Sequence, residues 1–172
     1  HIGMGLGNGP NTMANEKAVM AEHGFQNPVL WVYSPVCVDL VDQIPHSALV
    51  YDCVDRHSAY GGLMNPALVD AMELELAKKA DHVFATADAL ADRLRTVQPK
   101  TDMIPNGANF ERFVQAAQPQ PLPDDMQGIP HPIFGFVGAL QSCIEYGYLE
   151  AAAKARPDWS FVLIGKEKPG VD

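Results

Sequence analysis

Two carboxylates three positions apart, Asp52 and Asp55, follow the apolar run Ala48-Leu49-Val50-Tyr51. A strand ending there delivers them to its carboxyl edge, the side on which open α/β sheets bind ligands. A carboxylate in that place can take the proton of a hydroxyl group as a general base. It can equally accept backbone N–H groups and hold the next loop. A spacing of three does not force the two side chains in one direction, so the residues leave open a third use, in which both organise a turn or a helix cap. Arg56 and His57 come next; Arg56 could pair with a carboxylate, and both suit a solvated loop. Gly3, Gly5, Gly7 and Gly9 form a G-x-G-x-G-x-G run. A phosphate-cradling loop needs a strand before it and a helix N-terminus after it; with no strand pattern in front, this run reads as a flexible linker. The chain contains no HExxH, GxSxG or P-loop motif, which argues against a metalloprotease, an α/β-hydrolase and a nucleoside triphosphatase. His82 opens an apolar run without metal-ligand spacing around it, and His23, His46 and His131 stand next to turn residues.

Bulk properties narrow the classes further. The formal charge of −9 repels phosphate backbones and disfavours general nucleic-acid binding, while leaving room for a single nucleotide held by local amides and a few cations. Hydrophobic residues make up 47% and charged residues 19% of the chain, enough apolar material for a packed core and below the roughly 25% charge of an average domain. Cys37, Cys53 and Cys143 are scattered and odd in number. They fit small buried apolar residues in a reducing cytoplasm better than a disulfide framework or a zinc site. No apolar run approaches the roughly 20 residues of a membrane span. The chain opens at His1 and shows no basic-then-apolar leader, so the expectation is an excised or tagged start without a signal peptide.

The elements that must position these residues can be read from periodicity and punctuation. A helix is expected over residues 11–23, closed by Gly24. Val29–Tyr33, Ala48–Val54, His82–Thr86 and Thr101–Ile104 are short apolar runs rich in β-branched and aromatic residues, which read as buried strands. Between them lie expected helices at Val36–Ile44, after Asn65-Pro66, and at Asp88–Val97. Asn65 suits the N-cap and Pro66 the first turn. Leu68, Met72 and Leu76 define the expected apolar stripe, and Lys78 and Lys79 complement the C-terminal dipole. Gly61-Gly62 falls in the loop before this helix. Strict alternation of strand and helix predicts a parallel sheet covered on both faces. Pro105-Asn106-Gly107 reads as a turn able to take positive φ, followed by a short helix whose Phe110 and Phe113 pack under the sheet.

Residues 115–132 are proline-rich and poor in apolar side chains, the mark of a linker. Beyond them Ile133–Gly138 reads as a strand, Ile144–Arg156 as a helix weakened by Gly147, and Trp159–Ile164 as a strand ending at Gly165. The expected organisation is therefore 1–114, a linker 115–132, and a second unit 133–172. One βαβ unit cannot bury both faces of a sheet, so the second domain is expected to continue past Asp172.

Ile104-Pro105-Asn106-Gly107-Ala108-Asn109-Phe110-Glu111-Arg112-Phe113 resembles the I-P-N-G-V-D-x-x-x-F signature near the end of the N-terminal domain in many GT-B glycosyltransferases. Ala108-Asn109 stands where that signature usually has Val-Asp, and Glu145 where an Asp is common. Leu30-Trp31-Val32, Tyr51-Asp52-Cys53-Val54-Asp55, Lys78-Lys79-Ala80-Asp81 and Val83-Phe84-Ala85-Thr86-Ala87 follow in the order seen in bacterial cell-surface polysaccharide transferases, notably the teichuronic-acid type. Pro132–Gly138 and Ala155–Gly165 resemble the start of the C-terminal domain. The resemblance spans most of residues 25–165.

It implies a Rossmann-like α/β fold, with the end of an acceptor-side domain and the start of a nucleotide-sugar domain. The implied donor is a nucleotide-diphosphate sugar, acting as a substrate with no cofactor and no required metal. The implied acceptor is a polysaccharide or a lipid-linked sugar, and the implied setting is the cytoplasm, with possible contact at the inner face of the membrane. Asp55 is then the acceptor-side carboxylate or base, and Gly138, Ala139 and Lys166 lie toward the donor diphosphate. The family's later donor-site carboxylates fall outside this sequence, so the chain alone is expected to be inactive. Two other readings remain: a non-enzymatic α/β ligand-binding module, and a sugar-nucleotide epimerase of the same overall shape.

Overall fold

The computed structural model describes residues 17–60 and 65–167. The glycine run at Gly3–Gly9, the first part of the expected 11–23 helix, and Gly61-Gly62 lie outside the described residues. The chain divides into two compact units, 1–108 and 109–172.

The first unit is α/β. Strands β1 (Val29–Val32), β2 (Ala48–Cys53), β3 (His82–Ala85) and β4 (Thr101–Met103) form one sheet in the order β1-β2-β3-β4, and every neighbouring pair is parallel. Successive neighbours joined by right-handed crossovers bring their connections back over the same face, and burial follows that rule. Leu30, Val32, Leu49, Tyr51, Cys53, Val83 and Ala85 point to one face and are each at most 2% exposed. Val38, Val41, Leu76, Ala77, Ala91 and Leu94 complete this core. Removing the leucine and valine side chains among them from water contributes roughly 1.5–3 kcal/mol each. The alternate residues Trp31, Ala48, Asp52, His82 and Phe84 are only partly covered. The expected cover on both faces is thus found on one face among the described residues. Val50, in register with Trp31 and His82, is the buried member of the second face.

The helices match in place but differ in detail. Gly24 ends the first helix at φ 68°, and the Phe25 N–H reaches back to the Met20 carbonyl at 2.8 Å, a glycine C-cap of the Schellman kind. The Val36–Ile44 expectation resolves into a 3-10 turn, Pro35–Cys37, and one α-turn, Val38–Val41. In the Pro66–Lys79 helix, Asn65 Oδ1 accepts from the Ala67 N–H at 2.8 Å, as expected of the cap. The buried stripe, however, is Val69, Glu73, Leu76 and Ala77, while Leu68 is 50% exposed. The apolar reading missed the rotation because a carboxylate, Glu73, takes a core position where hydrogen-bond donors await it.

The second unit holds the helix Phe110–Ala116, a 3-10 turn at Asp124–Met126, strands β5 (Ile133–Val137) and β6 (Ser160–Ile164), and the helix Tyr146–Ala155. β5 and β6 pair in parallel. Asn109 caps the first helix through the Arg112 N–H at 2.9 Å. Phe110 and Phe113, expected to pack under the first sheet, are exposed on this helix. Their helix falls outside the unit that contains that sheet. Gly107 is also not at positive φ; among the described residues Gly24 and Gly128 are. Cys37 and Cys53 are buried as expected, whereas Cys143 is exposed. Phe134, Trp159 and Phe161 cluster with ring centroids 4.5–6.5 Å apart, and the Arg156 guanidinium lies 4.1 Å over Trp159. Among the described residues no helix is long and apolar enough to cross a membrane.

Candidate functional site

The carboxyl edge of the four-stranded sheet carries a cavity of about 290 Å³ on the partly open face. Each strand contributes to it: Trp31 from β1, Asp52 and Val54 from β2 and its exit, Phe84 and Thr86 from β3 and its exit, and Ile104 to Gly107 after β4. The period of two along each strand places these residues opposite the core. Trp31 and Phe84 lie on either side of β2 with ring centroids 5.5 Å apart and planes 17° from parallel. The Trp31 indole Nε1–H donates to Asp52 Oδ2 at 3.1 Å. His82 lies 4.7 Å from the Phe84 ring, and its Nε2 is 3.0 Å from Asp102 Oδ2, a structural role for this histidine.

The strand exits are pinned together. Thr86 Oγ1–H donates to the Val54 carbonyl at 2.8 Å, the Thr86 N–H to the Cys53 carbonyl at 3.3 Å, and the Ile104 N–H to the Ala85 carbonyl at 2.8 Å. The result is a cavity with flat aromatic faces and one carboxylate. A carboxylate offers about four lone-pair positions, and the indole takes one of them at Asp52. Such a lining suits a ring that has an apolar face and hydroxyl groups on its edge.

Asp55 sits beyond the strand, where the Tyr60 hydroxyl donates to its Oδ2. That hydrogen bond is the main cause of an upward shift of the Tyr60 phenol. His57 packs edge-on against Tyr60 at 6.0 Å. The two carboxylates therefore serve different partners, Asp52 lining the cavity and Asp55 held in the loop that follows. Arg56 takes the pairing foreseen for it, its Nη2 lying 3.5 Å from Asp70 Oδ2. Cys53 is no nucleophile at neutral pH: burial first, and then the Glu73 charge, push its thiol up to about 12.

In the second unit Gly138, Ala139 and Lys166 come together at the carboxyl edge of β5 and β6. The Gly138 N–H donates to the Ile164 carbonyl, and the Leu140 N–H to the Lys166 carbonyl, each at 3.0 Å. The alternation of a parallel ladder turns the intervening Ala139 N–H to the other side. Lys166 is exposed. The next helix begins at Tyr146, and Glu145 at its N-cap makes no side-chain cap bond. Gly165 was not anticipated as a site residue. A Cβ there would lie 1.7 Å from the Gly138 carbonyl oxygen, so this close approach of two backbones requires glycine. Asp55 belongs to the first unit and these residues to the second.

Trp31 and Phe84 also escaped the sequence reading, because an aromatic residue in a four-residue apolar strand reads as core. Their period-two alternation with Leu30, Val32, Val83 and Ala85 was the available signal. Among the described residues, no group of three or more His, Cys, Asp or Glu side chains is placed to hold a metal ion.

No protein-family model matches the chain. Over 154 residues it is 25% identical to a Bacillus subtilis (strain 168) protein named "Putative teichuronic acid biosynthesis glycosyltransferase TuaH", with 83% of this chain and 38% of that protein covered. The likeness agrees with the resemblance read from the residues and with the parallel α/β architecture. The chain spans well under half the length of this relative.

Proposed function

We propose that this chain serves glycosyl transfer from a nucleotide-diphosphate sugar to a hydroxyl group of a polysaccharide or lipid-linked acceptor, within a GT-B arrangement. The observation that carries the reading is the cavity at the carboxyl edge of the first sheet, where Trp31, Phe84 and Asp52 converge. In this proposal an acceptor ring lies against the aromatic faces and Asp52 accepts one of its hydroxyl groups. Asp55, at the same edge, is the acceptor-side base. The acceptor oxygen bonds to the anomeric carbon, the bond from that carbon to the diphosphate breaks, the hydroxyl proton passes to the carboxylate, and the nucleoside diphosphate leaves. Holding the two reactants in line supplies much of the rate. Donors aimed at the departing phosphate supply more, and the Ala139 N–H, the Gly138 loop and Lys166 are assigned to that task. Donor binding then needs more of a second α/β domain than residues 133–172 contain, and the chain alone is inactive.

The test is to titrate uridine and guanosine diphosphates calorimetrically into this chain and into a longer one carrying a complete second domain, and to assay sugar transfer by the longer one. Binding and transfer by the longer chain alone are expected. Asp55→Asn is expected to lower kcat by about 10²–10⁴, the usual contribution of a general base; unchanged turnover would remove that role from Asp55. Ring binding without transfer by the longer chain would favour a non-enzymatic binding module.

A further inference from the structure

Directly behind the cavity, on the core face of the same strand, lies a buried carboxylate that the transfer reaction does not use. Glu73, on the Pro66–Lys79 helix, is 1% exposed. Its Oε1 accepts from the Tyr51 hydroxyl at 2.7 Å and from the Cys53 thiol at 3.5 Å. Its Oε2 accepts from Arg93 Nη1, and Arg93 Nη2 continues to Asp70 Oδ1 at 2.8 Å. Arg93 belongs to the helix that follows β3, the strand that carries Phe84. One carboxyl group thus ties β2 to both flanking helices.

The two residues it holds on β2 are the neighbours of Asp52 on either side. Because side chains alternate along a strand, fixing Tyr51 and Cys53 on the core face fixes the plane in which Asp52 leaves the other face. We infer that Glu73, clamped by Arg93, is a positioning residue that aims the Asp52 carboxylate at Trp31 and into the cavity. A carboxylate at a core position costs more than an apolar residue there unless it is fully bonded, and simple filling of this position would be served by leucine. The inference concerns the cavity's geometry and holds whether or not the cavity takes an acceptor sugar, so a failure of the transfer assay leaves it standing.

The full chain contains two tryptophans, so its indole N–H protons give two resonances, and a Trp159→Phe variant identifies that of Trp31. Asn65→Ala, which removes the cap of the same helix without touching Glu73, controls for simple destabilisation. In Glu73→Gln the Trp31 indole N–H is expected to move upfield and to exchange with solvent about tenfold faster, as the hydrogen bond to Asp52 is lost. Arg93→Lys is expected to do the same to a smaller extent, and Asn65→Ala to leave the resonance in place. Should Glu73→Gln fail to fold, Arg93→Lys decides alone. An unmoved Trp31 resonance in the folded variants, or an equal shift in Asn65→Ala, would overturn the inference and leave Glu73 a structural residue only.

Discussion

The two units use the same ingredients, parallel strands joined through helices, and reach opposite degrees of burial. In the first, four strands and three connecting segments bring seven inward-facing strand residues to 2% exposure or less. In the second, β5, β6 and one intervening helix leave no described residue of 109–167 fully buried. The difference is one of geometry. A strand pair has two faces, and a single crossover helix shades part of one. Adding strands in sequence order, as in β1-β2-β3-β4, stacks successive crossovers over one face and makes a core. The other face of the first sheet keeps its carboxyl edge partly open, and there the cavity lies. The second unit retains local order through its aromatic cluster and through the glycine contact between Gly138 and Gly165.

Substitutions should sharpen this contrast. The largest effect is expected from Glu73→Ala, which leaves Arg93 with Asp70 alone and Tyr51 without its acceptor. Breaking such a pair costs about 3 kcal/mol or more, and the midpoint of chemical denaturation of the first unit should fall accordingly. Leu76→Ala, three positions on, should cost about 2–5 kcal/mol by opening a core cavity. Asn65→Ala should cost about 1 kcal/mol through loss of the helix cap, visible in the same melt. Phe113→Ser, on the exposed helix of the second unit, should change stability by no more than about 0.5 kcal/mol. A loss comparable to that of Leu76→Ala would show that this helix is covered and would break the comparison. Thiol labelling gives a further test: at pH 8 Cys143 should react at once, while Cys37 and Cys53 wait for unfolding.

Much of the fold was legible because strand and helix periods differ and because punctuation was clear. Asn65-Pro66 and Gly24 each marked a boundary with a mechanism behind it. The misses share a cause: they depend on which partner a side chain meets. Leu68 has the apolarity for the core, yet the helix turns Glu73 inward because Tyr51, Cys53 and Arg93 offer it three donors. At the candidate site, paired acidic residues after a strand were visible, whereas the aromatic walls were hidden among core-like strands. Gly165 could not be singled out, since its role lies in an approach of two backbones that spacing alone does not encode.

The central claim is that the first unit holds a hydroxylated ring against Trp31 and Phe84 with Asp52 as its polar contact. The most direct measurement is to titrate neutral and acidic disaccharides into the isotope-labelled full chain and follow its backbone and indole resonances. The account predicts saturable shifts centred on the Trp31 indole, Phe84 and Thr86, weakened at least tenfold in Trp31→Ala. Shifts centred elsewhere, or binding untouched by Trp31→Ala, would contradict it.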